Sequence, residues 1–412
     1  MTATKRNARH QPLALLVFAA SMLAAQCAEA DAVTQWNIVA GEVVTQAKLG
    51  TPAANRVMAL THTAAYEAAN AITRRYPAVG IGLKPAPGAS VDAAIAAAHR
   101  TALTRLVPTQ QIAIDQAYQL ALARIDDTAA KTAGIAAGEQ AAVTVISQRA
   151  NDGASAEEAY RPQTTAGVYV PTVIPAAPQW PSRKPWLMNS AAQFRPGPPP
   201  ALTSETWARD YNEVKLLGAW NSAKRSAEQT AIARFWEATL PPIYHGLVRS
   251  VADLPGRDVM QNARLFAAVT QAMDDALIAI FDAKYHYGFW RPITAIRNGD
   301  IDGNEATERD ASWQPFIDTP MHPEYPCAHC VVAAAISVVL QAEIGSGAQP
   351  TLTTTSVTAN GSARTWPSLD AFVQEVANAR IYDGVHFRNS TQVGTAMGKE
   401  IGALAVARYL RK

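Results

Sequence analysis

The sequence has few cysteines, a small net charge and, beyond its N-terminus, no long uninterrupted apolar run. Three cysteines in 412 residues exclude a small scaffold held together by disulfides. A formal net charge of +2 argues against a general nucleic-acid binder, which needs a marked basic surplus. After the N-terminus, no stretch of about 18 consecutive apolar residues predicts a transmembrane helix. The chain is nevertheless 49% hydrophobic, which is enough to bury a core of ordinary size.

The first 30 residues have the pattern of an export signal. Basic residues within the first nine positions precede an apolar stretch, LALLVFAASMLAA, and the sequence Ala-Glu-Ala follows at 28–30. A basic region, a short apolar core and an A-x-A site are typical of a cleaved secretory signal. We therefore predict cleavage after Ala30 and a secreted or periplasmic protein. Cys27 leaves a lipoprotein signal as the alternative, although Gln26 before it suits that poorly.

Apolar residues recur at three- to four-residue spacing along most of the chain, whereas the alternation typical of strands is scarce. The pattern predicts an all-α protein made of two packed helical bundles. The Pro-rich segment 161–203 lacks this periodicity, and its aromatic residues need a surface to pack on, so we interpret it as an ordered wrapping loop. It would separate an N-terminal helical domain, 31–160, from a C-terminal one, 204–412. Residues 351–366 are compatible with a small hairpin or a loop.

Polar chemistry is concentrated in three short islands of the C-terminal half. In the first, FDAKYHYGFWRPITAIR at 281–297, Lys284 and Arg291 are seven residues apart. On one helix this is about two turns, so both cations would point the same way. The other two islands are MHPEYPCAHC, with His322, Cys327 and His329, and ARIYDGVHFRNS, with Arg380 and His386.

Convergence of Lys284, Arg291 and Arg380 in a buried site would require an anion, because a buried unpaired charge costs several kcal/mol. The planar fork of arginine suits tetrahedral oxyanions, and lysine adds a point charge. The turn CAHC, which opens a helix, would add backbone N–H groups. We therefore predict a site for phosphate or an ion of the same shape. One histidine would bond the central atom, and another would move protons.

The three islands resemble a known signature. Lys284 is followed after six residues by Arg291-Pro292, then comes the segment 326–329, Pro-Cys-Ala-His, and then Arg380 with five residues before His386. In this order they resemble the signature of the vanadium-dependent haloperoxidase and type 2 phosphatidic acid phosphatase superfamily, whose usual forms are K-x6-R-P, P-S-G-H and S-R-x5-H. The resemblance implies a haloperoxidase-like helical core in the C-terminal half, with vanadate, or phosphate in the same pocket.

The resemblance also implies a role for each matching residue. Lys284, Arg291 and Arg380 would hold the oxygens of the oxyanion, and Lys284 would in addition polarise the oxidant. His386 would be the ligand to vanadium, or the nucleophile that takes up a phosphoryl group. His329 would be the acid–base residue.

Several positions depart from the usual signature. Cys327 and Ala328 stand where the family has Ser and Gly; both are candidates for oxyanion binding, although a thiol is a weak donor and cannot donate if it is bonded to Cys330. The two cysteines are compatible with a disulfide or with two free thiols. Ser390 replaces the aspartate that normally orients the final histidine. His322 falls where haloperoxidases carry a residue that influences halide preference, and is more similar to the bromide-oxidising enzymes.

Three functions are compatible with this resemblance. The first is an exported haloperoxidase that oxidises a halide with hydrogen peroxide at a vanadate bound by His386. The second is an acid phosphatase that cleaves a phosphate ester through a phosphohistidine at His386, with His329 protonating the leaving alcohol. The third is an oxyanion-binding protein without turnover. A long chain with an additional N-terminal helical domain resembles the haloperoxidases more, so the first is favoured.

Overall fold

The protein is described here by a computed structural model that covers residues 30–77, 80–347 and 349–410. The predicted export signal therefore lies outside the described residues, except for Ala30. Within the described ranges almost all of the regular secondary structure is helical, which confirms the predicted all-α class. Of the helices in these ranges, none has the length and apolar character that crossing a bilayer requires.

Five helices form the N-terminal bundle. They are α1 (Ala32–Gln46), α2 (Thr51–Thr73), α3 (Val91–Leu106), α4 (Gln111–Leu122) and α5 (Ala129–Gln148). The helical path is interrupted between α1 and α2. Lys48 there has a positive φ of 52°, and Pro52 lies in the first turn of α2. Side chains of Ser90 and Thr128 accept hydrogen bonds from the first turns of α3 and α5 and so define where these helices begin.

Eight helices and one hairpin form the C-terminal part. The helices are α6 (Glu205–Leu217), α7 (Ala227–Trp236), α8 (Pro241–Ala252), α9 (Val259–Tyr287), α10 (Pro292–Arg297), α11 (Ala328–Ile344), α12 (Leu369–Tyr382) and α13 (Arg388–Tyr409). Strands β1 (Leu352–Thr355) and β2 (Ala363–Trp366) pair antiparallel. The segment 351–366 is thus a hairpin rather than a loop.

Helix α9 is the centre of the molecule. It begins with a capping box formed by Asp258 and Gln261, and its residues from 265 to 284 are all buried. It packs against α2 of the first bundle and against α11 and α13 of the second. As a result, one hydrophobic core contains residues from both bundles.

The Pro-rich segment between α5 and α6 is bound to α9 by three aspartates. Asp274 pairs with Arg183 at 2.6 Å, and both carboxylate oxygens of Asp282 accept from Arg195 at 2.7 and 2.8 Å. Asp275 accepts three backbone N–H groups, which belong to Trp186, Leu187 and Met188. These contacts explain how a segment with one short 3-10 turn (Trp180–Ser182) keeps a defined path over α9.

The prediction that Lys284 and Arg291 lie on one face of one helix is wrong. Gly288 adopts a left-handed conformation with φ 56° and ends α9, and its N–H bonds to the carbonyl of Lys284. Arg291 instead precedes α10, with Pro292 in the first turn of that helix. The two side chains approach the same region because both bond to the segment 322–324.

Helices α11 and α13 pack unusually closely, because α13 presents a glycine every fourth residue. A Cβ added at Gly394, Gly398 or Gly402 would lie 2.6, 2.2 or 2.6 Å from a carbonyl oxygen of Cys327, Val331 or Ala335. No side chain fits at these distances, so this spacing requires glycine. The close contact matters for the site, because α11 begins at Ala328 and α13 begins two residues after His386.

Candidate functional site

Several of the predicted site residues line one cavity between the two bundles. It has a volume of about 310 Å³, and its lining includes His322, Ala328, His329, Arg380 and His386. Lys284, Arg291 and Cys327 are not part of this lining and lie behind the wall. The N-terminal bundle contributes residues 50–52 and Asn55, which the sequence did not connect with the site. A larger open groove of about 740 Å³ beside α6 contains none of the predicted residues.

A buried carboxylate, that of Glu324, binds the ring nitrogen Nδ1 of His386. This nitrogen lies 2.7 Å from Oε1 of Glu324, which also accepts the N–H of Phe387 at 3.0 Å. Burial, followed by the nearby cations Arg291 and Lys284, lowers the pKa of His386 well below its ordinary value. The neutral ring therefore carries its proton on Nδ1, towards the carboxylate, and this hydrogen-bond pattern leaves a lone pair on Nε2.

Arg380 retains unused donors. Its NH1 donates to Asp383 at 2.6 Å and to the carbonyl of Trp236 at 3.0 Å, whereas its buried Nε has no acceptor among the described residues. Burial raises the pKa of Asp383 to about 7, and Arg380 acts in the opposite direction. Because a buried arginine N–H without an acceptor is costly, this guanidinium is prepared for an additional acceptor.

Lys284 and Arg291 are tied to the segment that leads into α11. The Lys284 Nζ donates to the carbonyls of Pro323 and Glu324 at 2.9 and 2.7 Å. Burial, and then the charge of Arg291, lower the pKa of Lys284 well below its ordinary value. Burial likewise lowers the pKa of Arg291 to about 10.

Arg291 is the cation nearest to the imidazole of His386. Its NH1 lies 3.3 Å from His386 Nε2 and 2.8 Å from the carbonyl of Val385, and its Nε donates to the carbonyl of His322 at 2.9 Å. Any group bound at Nε2 would therefore contact this guanidinium. The sites of positive charge lie around a ring nitrogen that can accept, which suits an anion with a bondable central atom.

His329 and the first turn of α11 form the opposite wall. Nε2 of His329 lies 3.3 Å from the carbonyl of Ala238, which only accepts, so this nitrogen carries the proton of the neutral ring. Burial, and then Arg380, lower the pKa of His329 well below its ordinary value. The N–H groups of Ala328 and His329 belong to the first turn of α11 and have no acceptor within that helix.

Known proteins share parts of this sequence and fold. A family profile for the VCPO second helical-bundle domain matches residues 264–412. Vanadium chloroperoxidase of Curvularia inaequalis is 28% identical over a region that covers 36% of this chain and 29% of that protein. The structure of the first bacterial vanadium-dependent iodoperoxidase superposes with a TM-score of 0.78 at 25% identity, covering 92% of this chain and 95% of that one.

Residues 264–412 therefore match a vanadium chloroperoxidase domain, and the described fold is similar to those of bacterial vanadium haloperoxidases. The holo-type bacterial vanadium-dependent chloroperoxidase shares the fold as well, with a TM-score of 0.66 at 19% identity over 88% of this chain and 93% of that one. The match to the Curvularia inaequalis protein spans less than a third of the length of that relative.

The support of His386 comes from a residue that the signature did not suggest. The position of the usual aspartate is Ser390, whose Oγ is 3.4 Å from His386 Nδ1, whereas Glu324 lies at 2.7 Å. Sequence reasoning missed Glu324, although a glutamate inside the apolar, Pro-rich stretch HPEYP is a visible hint of a buried partner. Burial raises the pKa of Glu324 to about 7, while Lys284 and Arg291 lower it.

The prediction that Cys327 contributes a donor requires a correction. Cys327 and Cys330 form a disulfide, so there is no thiol to donate. The sulfur of Cys327 instead accepts the N–H of Cys330, and the backbone N–H of Cys327 donates to the carbonyl of Ser390 at 3.2 Å. The side chain that replaces the family serine therefore caps α11 and does not reach an oxyanion.

His322 lies between Arg291 and the cavity. Its Nδ1 is 2.9 Å from Arg291 NH2, and its ring packs edge-on against Phe281 with centroids 5.3 Å apart. Burial, and then the charges of Lys284 and Arg291, lower the pKa of His322 well below its ordinary value. A neutral imidazole thus lines the wall where the sequence predicted an influence on the halide.

The residues present fit an oxyanion such as vanadate. His386 Nε2 offers a lone pair, the buried Arg380 Nε lacks an acceptor, and the first turn of α11 adds N–H groups. In the described part of the cavity lining there is no carboxylate that would repel an anion. The donor set therefore suits vanadate or phosphate, with one protein ligand to the central atom.

Proposed function

We propose that this protein is a vanadate-dependent haloperoxidase that oxidises a halide with hydrogen peroxide, and that it works outside the cytoplasm. The observation that carries the proposal is His386. It is a neutral histidine, anchored by Glu324 at Nδ1, whose Nε2 lies 3.3 Å from Arg291 NH1 beside a cavity that Arg380 also lines. The location rests on the N-terminal sequence alone.

Each residue has a distinct task in this proposal. His386 Nε2 would bind vanadium, and Arg380 and the N–H groups at Ala328 and His329 would hold the oxygens. Arg291 would contact the group bound at Nε2, and Lys284 would add positive charge from outside the cavity lining. Bound vanadate would supply a Lewis acid that activates hydrogen peroxide without changing its own oxidation state.

The protein residues would manage protons and water. His329 would accept a proton from incoming hydrogen peroxide at Nδ1, because its Nε2–H is engaged with the carbonyl of Ala238. The largely apolar walls of the cavity would limit the access of water to the oxidising species. Glu324 would keep His386 in the tautomer that presents a lone pair to the cavity.

The test is halide oxidation by protein reconstituted with orthovanadate. Hydrogen peroxide and either bromide or iodide are added with a phenolic dye, and halogenation of the dye is followed by absorbance. The proposal expects activity in the wild type, loss of at least about 100-fold in His386→Ala, and no change in His286→Ala, which alters an exposed histidine. Equal activity in both variants would contradict the proposal.

A phosphatase is the second candidate, because a histidine backed by a carboxylate is also an activated nucleophile. It expects release of phosphate from an aryl phosphate, inhibition by vanadate, and loss of release in His386→Ala. Phosphatase activity without halide oxidation would replace the first proposal. Tight orthovanadate binding with neither activity would favour an oxyanion-binding protein.

A further inference from the structure

The disulfide between Cys327 and Cys330 closes a small loop at the edge of the candidate site. The two residues inside the loop, Ala328 and His329, both line the cavity. Both cysteines are fully buried, and the loop forms the start of α11. A change in the redox state of this pair therefore takes place next to the groups that would hold an oxyanion.

The loop is fixed by its packing against α13. The N–H of Cys327 donates to the carbonyl of Ser390 at 3.2 Å. A Cβ added at Gly394 would lie 2.6 Å from the carbonyl oxygen of Cys327 and 3.3 Å from Cβ of Cys330. Because these contacts do not involve the S–S bond, reduction leaves both sulfurs at the start of α11.

The position of Cys327 favours a negative charge once the S–S bond is broken. Its sulfur lies at the N-terminal end of α11, where it accepts the N–H of Cys330 at 3.2 Å. Cysteines in C-x-x-C motifs, at helix N-termini and near cations ionise more readily than a free cysteine does. Cations are close by, because burial and then the charges of Arg380 and Lys284 lower the pKa of His329, two residues further along. The reduced pair would therefore carry a thiolate at Cys327.

We propose that Cys327 and Cys330 form a redox control of the oxyanion site, in which the reduced pair weakens oxyanion binding and the disulfide restores it. A thiolate repels a bound anion and uses the positive end of α11, whereas a disulfide carries no charge. The inference rests on the proposed function for its consequence, because hydrogen peroxide, the proposed substrate, closes the pair. Thiols are kept reduced in the cytoplasm, so the chain would take up its oxyanion only after export.

The closing reaction balances with hydrogen peroxide as the oxidant. The thiolate of Cys327 attacks one peroxide oxygen, the O–O bond breaks, and uptake of one proton gives a sulfenic acid and water. The thiol of Cys330 then forms the S–S bond and releases a second water. The sum is 2 R–SH + H₂O₂ → R–S–S–R + 2 H₂O. A dithiol reverses the reaction by exchange and is itself oxidised to its disulfide.

The experiment compares phosphate binding by the oxidised and the reduced full chain. The probe is inorganic phosphate, which dithiothreitol does not reduce, and its dissociation constant is measured by isothermal titration calorimetry. Phosphate should bind the reduced wild type at least about tenfold more weakly than the oxidised wild type. Mass spectrometry after alkylation identifies the state of each cysteine, and near-UV circular dichroism reports whether the reduced chain stays folded.

Two variants separate the charge from the cross-link. Cys330→Ala leaves a single thiolate without any reductant, so it should bind phosphate as weakly as the reduced wild type. Its matched control is Cys327→Ser/Cys330→Ala, which differs from it by one sulfur atom and carries no charge there. This control should bind phosphate at least about threefold more tightly than Cys330→Ala, and dithiothreitol should not change its affinity. The two variants decide the question even where reduction unfolds the wild type.

Hydrogen peroxide tests the closing reaction in the same proteins. It should convert the reduced wild type to the disulfide and restore phosphate affinity. In Cys330→Ala it should instead add oxygen to Cys327, because the second thiol is missing.

Three results would overturn the inference. They are absence of phosphate binding by the oxidised chain at millimolar concentration, equal affinity of the folded oxidised and reduced chains, and equal affinity of Cys330→Ala and its matched control. The binding measurements contain neither halide nor vanadate, so their outcome is separate from the halide-oxidation test. Redox-dependent phosphate binding together with failed halide oxidation would remove the proposed reaction and leave this control in place.

Discussion

Acid should destabilise this protein through three histidines that are buried outside the candidate site: His62, His99 and His245. Asn37 Nδ2 lies 3.1 Å from His62 Nε2 and 2.7 Å from His245 Nδ1, while Asn37 Oδ1 accepts from Arg249. Because the amide nitrogen only donates, both ring nitrogens have to accept. The network therefore holds both imidazoles in the neutral form.

The size of the effect follows from the depressed pKa values. Burial lowers the pKa of His245 to about 3 and that of His99 to about 4, and it lowers the pKa of His62 well below its ordinary value. As the pH falls, such a histidine is protonated in the unfolded chain at a higher pH than in the folded chain. The stability that it contributes is present above its unfolded pKa of about 6.5 and is lost as the pH falls. For His245 the loss is about 2 kcal/mol between pH 7 and pH 5.

The variant His245→Gln isolates this contribution, because glutamine can still accept from Asn37 but does not titrate. The stability of the wild type has to be compared with that of the variant, because buried carboxyls also titrate in this range. Burial raises the pKa of Glu324 and Asp383 to about 7 and that of Asp275 to about 6. These carboxyls take up protons first in the folded chain and oppose the trend. In urea unfolding, wild-type minus variant stability should fall by about 2 kcal/mol from pH 7 to pH 5 and stay level above about pH 7.5.

A flat difference curve from pH 8 to pH 5 would refute this reasoning, because the imidazole of His245 would then titrate alike in the folded and unfolded chains. An increase of this stability difference towards low pH would contradict the reasoning more strongly. It would mean that the folded protein binds the proton more tightly, which a neutral, buried acceptor next to an amide N–H cannot do.

Two further changes test the site and the packing beneath it. Glu324→Gln should lower halide oxidation about 10- to 100-fold and remove the strongly downfield NMR signal of the His386 Nδ1–H, whereas Ser390→Ala should change activity less than about threefold, because its Oγ is 3.4 Å away. Gly398→Ala should destabilise the protein by about 2–3 kcal/mol in urea unfolding, because its Cβ would lie 2.2 Å from a carbonyl of α11; Gly197→Ala, with open space around it, is the control.

Each of these tests has a contrary outcome. A larger loss of activity in Ser390→Ala than in Glu324→Gln would show that the serine, as the family position suggests, supports the histidine. Equal stability of the two glycine variants would show that α13 is able to move away from α11 at little cost.

Much of the helical framework could be predicted, because three- to four-residue periodicity is a local property of the chain. The same local reasoning failed at Gly288, where the apolar pattern continues through Phe289 and Trp290 but the left-handed glycine and Pro292 end one helix and begin another. The support of His386 by Glu324 could not be read from spacing. It depends on a contact between residues 62 positions apart, and the position suggested by the signature is occupied by Ser390.

The amino-acid sequence by itself determined the helical class and the identity of the cations and histidines in three islands, because side-chain chemistry and periodicity are carried by short stretches of chain. Only the tertiary structure decided that Glu324 orients His386, that Cys327 is closed in a disulfide, and that the start of α2 completes the cavity wall. The physical reason is that burial, and with it the charge state and free donors of each group, depends on which distant elements pack together.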